Sequence, residues 1–80
     1  MGYKYMKLPI VFIKLNQIKY YYGNEELLEI YINLETIESI QPLRDNKESS
    51  EVIYSGRRVV VKESIDEIQQ KIYALLKDVF

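Results

Sequence analysis

Residues 10–15, IVFIKL, crowd β-branched and aromatic side chains together, a density that predicts a strand. Polar and aromatic positions then mix in NQIKYYYGNEE. Tyr20, Tyr21 and Tyr22 can prolong the strand, and Gly23 with Asn24 signals a turn, so a hairpin is expected. Residues 27–33, LLEIYIN, set Leu28, Ile30 and Ile32 against Leu27, Glu29 and Tyr31, the period-two alternation of a strand buried on one face and half-covered on the other. In NLETIESI, Asn33 can cap a helix, but Gln41 and Pro42 end the run after one turn. A short 3₁₀ turn at 34–36 and a strand at 37–43 follow. Residues 44–50, RDNKESS, read as a hydrophilic loop.

The strongest hairpin signal is EVIYSGRRVVVKE, in which two β-rich arms flank Ser55 and Gly56, the glycine supplying the positive φ of a tight turn. Ser64 with Glu67 forms a capping box, and Asp66 falls in the first turn of a helix. Ile65, Ile68, Ile72, Leu75, Leu76 and Val79 recur at helical spacing, leaving Gln69, Gln70, Lys71 and Asp78 on the wet side. Residues 1–9, with Pro9 unable to donate to a central ladder, predict a tail or an edge strand. The fold class expected is α+β: a five-stranded, mostly antiparallel sheet, bent or closed like a small SH3-like barrel, followed by one amphipathic C-terminal helix. Residues 1–80 are expected to form a single domain, since a chain this short builds one core.

Composition narrows the function classes. Eleven basic and twelve acidic residues leave a formal charge of -1, so no global field draws in a polyanion. The chain has no cysteine, which excludes disulfides and thiolate metal sites, and no histidine, which removes the commonest acid-base group near neutral pH. Neither a secretory leader nor the roughly 18 apolar residues of a membrane span is visible, so a cytoplasmic protein without membrane insertion is expected. The glycines are isolated and form no phosphate-binding loop, and no serine stands beside a base in a recognisable motif. The chain is therefore read as non-enzymatic and without cofactor or metal.

Two binding readings remain. Eight tyrosines are many for this length, and Tyr20, Tyr21, Tyr22 and Tyr31 are candidates for a protein interface, with a homo-oligomer or a protein partner expected. Alternatively Arg57, Arg58 and Lys62, with Lys14, Lys19 and neighbouring tyrosines, could contact single-stranded nucleic acid or serve a regulatory module. Neighbours on a strand face opposite sides, however, so Arg57 and Arg58 cannot share a surface, while Lys62 joins Arg58. Nucleic acid ranks second.

Ile13-Lys14-Leu15, Ile32-Asn33, Leu34 with Ile37 and Ile40, and the run Val59-Val60-Val61-Lys62-Glu63-Ser64 followed by Ile65, Glu67 and Ile68 together resemble the small flagellar and swarming-motility protein family, FlbD-like, over about residues 11–76. The resemblance implies a hairpin followed by an amphipathic helix in a small non-enzymatic protein, and it brings no catalytic residues. The chain departs from that pattern in its tail at 1–9, in the long NQIKYYYGNEE connection and in its longer loop at 44–50. These insertions would suit a relative recruited by a phage or mobile element.

Overall fold

The computed structural model describes residues 10–77. Five strands, β1 (Phe12–Tyr21), β2 (Asn24–Asn33), β3 (Ile37–Pro42), β4 (Ser50–Tyr54) and β5 (Arg57–Val61), are followed by one helix, α1 (Ile65–Lys77). A 3₁₀ turn at Leu34–Thr36 joins β2 to β3, its cap Asn33 accepting from the Glu35 amide through Oδ1 at 2.9 Å. The strands form one sheet in the order β2-β1-β5-β4-β3, and every pairing is antiparallel.

The expected bent or SH3-like barrel is corrected. β2 and β3 lie at opposite edges of an open sheet, which is neither closed into a barrel nor strongly curled. Closure needs a continuous ladder between all neighbours and paired outer edges. Here β1 and β5 meet in register at Gln17 and Val61 alone, so the long β1–β2 hairpin joins the β3–β4–β5 meander across a narrow seam. The expected tail at 1–9, with Asp78 and Val79, lies outside the described residues.

The expected first hairpin is formed, and what is corrected is the long connection drawn from the comparison with the family pattern. β1 and β2 pair without interruption from Phe12 opposite Asn33 to Tyr21 opposite Asn24, so NQIKYYYGNEE is strand on both sides of a two-residue turn, Tyr22 and Gly23, and not a long link. Both turn residues have positive φ, 51° and 82°, as do Ser55 and Gly56 in the second hairpin, 48° and 75°. That backbone matches the right-handed twist of the flanking strands. The β4–β5 turn is tied to its surroundings, because the Ser55 amide donates to the Thr36 carbonyl and the Gly56 amide to Glu38 Oε2.

Ile13, Leu15, Ile32, Val52, Val59, Val61 and Ile68 form the buried core, with Ile30, Leu34, Ile37, Ile40, Tyr54, Ile72 and Leu75 packed around it. The strand members alternate as period two requires, so one face of the sheet takes the helix stripe. The capping box is formed as its spacing predicts: the Glu67 amide donates to Ser64 Oγ at 3.2 Å and the Ser64 amide to Glu67 Oε1 at 3.1 Å. Ile68 is the wholly buried member of the stripe, while Ile65, Ile72, Leu75 and Leu76 are half-buried.

Candidate interaction surface

The core occupies only one end of the β1–β2 hairpin. From Tyr20 to Glu29 every residue is exposed, so the distal hairpin stands clear of the core as an arm. The arm has two distinct faces, because cross-strand partners point the same way. One face continues the core side and carries Gln17 with Leu28, Lys19 with Glu26, and Tyr21 with Asn24. The other carries Phe12, Tyr31 beside Lys14, Ile18 with Leu27, and Tyr20 with Glu25.

The tyrosine candidates are thereby separated. Tyr20 and Tyr31 share the outer face and Tyr21 lies on the opposite one, as alternation requires, while Tyr22 sits at the tip. Tyr22 is fully exposed at a relative accessibility of 103%, and Leu27 and Leu28 are exposed beside it in the arm. Tyr22 also holds a left-handed backbone, a conformation that an L-residue other than glycine, asparagine or aspartate adopts at a cost of roughly 1–2 kcal/mol. A large aromatic residue, strained and bare at the tip of a hairpin, is unfavourable for folding alone.

The basic candidates do not assemble into a patch. Arg57 lies on the core-side face of β5 opposite Tyr54, and Arg58 lies on the outer face, ion-paired with Glu51. Lys14 faces Glu29 at 3.5 Å and Lys19 stands opposite Glu26 on the other face of the arm. Arg58 and Lys62 do line one groove, of about 990 Å³, between the arm, the 44–49 loop and the start of α1. Arg44 joins them, but Glu25, Asp45, Glu48, Glu63 and Glu67 line the same groove, and acids outnumber bases there. A polyanion gains little from such a wall.

Two structural features of this groove escaped sequence reasoning. Glu63, only 5% exposed, accepts from the Asn16 amide at 3.0 Å and from Asn16 Nδ2 at 2.8 Å, and Lys71 Nζ stands 3.9 Å away. That carboxylate staples the segment after β5 onto the middle of β1, beside the Lys62 amide donating to the Asn16 carbonyl at 2.8 Å. An asparagine inside an apolar strand was the one available signal, since asparagine is depleted in strands. The second feature is the 44–49 loop, which is not a plain solvated link. Asn46 Oδ1 accepts from the Glu48 amide at 3.0 Å, its carbonyl accepts from the Ser49 amide, and Ser49 is buried beneath it. This is an Asx-type turn.

Among the described residues no cluster of acidic side chains is placed to hold a metal ion, and no helix is long and apolar enough to cross a membrane. Compared with known proteins, the chain matches no family model, no curated protein and no solved structure.

Proposed function

We propose that this protein is a small non-enzymatic interaction module, acting in the cytoplasm, which engages a protein partner through the β1–β2 arm. The observation that carries the reading is the arm itself: a ten-residue pair of strands whose distal part is exposed on both faces and bears Tyr20, Tyr21, Tyr22, Leu27 and Leu28. Two-stranded ribbons are marginal in water, and tyrosine suits contacts that are part apolar and part wet. Strain at Tyr22 points the same way, because a residue held in an unfavourable conformation at an exposed tip suggests a role outside the fold. The likeness to FlbD-like proteins would add a motility, phage or mobile-element setting but assigns no residue a task. Nucleic-acid binding through Arg57, Arg58 and Lys62 draws less support, given the Glu51 pairing and the acidic groove wall.

The reading is tested by placing a photo-crosslinking phenylalanine analogue at Tyr22, and separately at exposed Gln70 on α1, in the cells that make the protein. Discrete adducts from position 22 and none from position 70 are expected. Absence of adducts from the arm, or equal smears from both positions, would refute it.

A further inference from the structure

The two edges of the sheet are treated differently by the chain. β3, six residues long, ends in Pro42 and carries a register shift between Ile37 and Ser39, both of which blunt an edge against further pairing. β2 is ten residues long, has no proline, and pairs with β1 without a register shift. Its outward backbone groups can be assigned. Asn16 directs its amide to Glu63 and its carbonyl to Lys62, away from β2, so even-numbered residues of β1 face β5 and odd-numbered ones bond β2. Through the register, even-numbered residues of β2 face β1, and Glu25, Leu27, Glu29 and Tyr31 present their amides and carbonyls to the open side.

Resting on the arm as the contact surface, we propose that its partner is a second copy of this chain, joined by antiparallel pairing of β2 with β2 about a two-fold axis at Leu28. The glutamates decide the register. An axis at Leu27 sets Glu25 opposite Glu29 twice, and an axis at Glu26 or Glu29 sets that residue against itself; like charges directly opposite destabilise a sheet. Centred on Leu28, the pairing engages residues 24–32 of each copy and opposes no glutamate to another. Glu25 meets Tyr31, Leu27 meets Glu29, Glu26 meets Ile30, and Leu28 meets itself. An axis at Ile30 also avoids the clash but pairs only residues 27–33.

The like charges that remain are diagonal, Glu29 to its symmetry mate and Glu25 to the other copy's Glu29, and the Lys14 of each arm offsets them. Glu29 already has Lys14 at 3.5 Å and Glu26 already faces Lys19 within each arm, so the edge does not demand a basic foreign strand. Every outward amide from Glu25 to Tyr31 gains a carbonyl, and the two sheets become one. This is an isologous contact, closed by symmetry, in which main-chain bonds supply the attraction and the glutamate spacing supplies the register.

The test is the solution mass by light scattering over a dilution series, with amide exchange read by NMR. The wild type is expected to have twice the 9.6 kDa of one chain, with slow exchange at Leu27 and Glu29. Leu27→Pro removes an outward amide and leaves the bonds to β1 intact, and Leu28→Lys sets two cations at the axis. Both are expected to give folded monomers with unchanged circular dichroism. Should Leu27→Pro unfold, Leu28→Lys carries the test alone. A monomeric wild type overturns the inference, while arm adducts to another protein in cells would leave the interaction reading standing. A dimer indifferent to both changes but lost on Tyr20→Ser overturns the edge pairing alone, and no adducts from the arm would remove both.

Discussion

Glu63→Ala deletes a carboxylate that joins the segment between β5 and α1 to β1 across 47 residues of sequence. In the native protein the carboxylate accepts from the Asn16 amide at 3.0 and 3.2 Å and from Asn16 Nδ2 at 2.8 Å, in a site where Glu63 is 5% exposed. Hydrogen bonds to a charged group contribute about 1.5–3 kcal/mol, and a buried donor left without a partner costs about 1–3 kcal/mol. Lys71 adds little, being 3.9 Å away with its side chain 36% exposed, where solvent screens the pair. The loss expected is therefore about 3 kcal/mol. At about 4–8 °C per kcal/mol for a domain of this size, the melting temperature should fall by roughly 12–24 °C. Glu63→Gln keeps the volume and one acceptor oxygen but turns an amide towards a donor, so about half the loss is expected. Thermal and urea unfolding followed by circular dichroism measure both. A loss below about 1 kcal/mol for alanine would show that the staple does not hold the segment after β5 to β1.

Ser50→Ala is expected to be neutral or to stabilise by up to about 1 kcal/mol in urea unfolding, because Ser50 Oγ is wholly buried without a partner. Tyr22→Asn should relieve the left-handed strain at φ 51°, raising stability by about 0.5–1 kcal/mol while weakening whatever contact the arm makes; a lower melting temperature would contradict it. Ser64→Ala removes the Oγ that accepts from the Glu67 amide, while the backbone amide of residue 64 can still donate to Glu67 Oε1, and should cost about 1 kcal/mol, seen as a lower urea midpoint with an unchanged slope.

Features written in short stretches were legible in the sequence, and features made by distant partners were not. The capping box of Ser64 and Glu67 and the turn at Ser55 and Gly56 each depend on residues within one turn of chain, and both formed as their spacing indicates. The staple of Glu63 on Asn16 has no local signature, because a carboxylate before a helix cap looks like any solvated acid until the sheet brings the asparagine beneath it. The hairpin itself was legible from the tyrosines and Gly23, but not that its distal part stands clear of the core. Period-two reading depends on one wet and one dry face, and beyond Gln17 both faces of β1 and β2 are largely wet, so the pattern does not say which side packs. The hairpin's turn falls at Tyr22 and Gly23, one residue before the expected Gly23 and Asn24, since a tyrosine is not anticipated at positive φ. The barrel expectation came from strand count and short connections, which say nothing about how far neighbouring strands stay paired.

The buried core and the proposed contact surface therefore lie in different segments of the same hairpin. Ile13, Leu15 and Ile32, at the end away from the turn, share the core with Val52, Val59, Val61 and Ile68, and truncating a buried aliphatic side chain there removes both transfer energy and packing. Tyr20, Tyr21, Leu27 and Leu28, at the turn end, are exposed and outside that core cluster, so their folding role rests mainly on cross-strand pairs worth about 0.2–1 kcal/mol each. Serine in their place removes apolar contact surface at little cost to the fold. A strand can serve both ends only if its middle is held, and that is where the Asn16 carbonyl and amide are taken by Lys62 and Glu63. The polar staple at the seam ties the middle of this long pair of strands to the segment that leads into the helix.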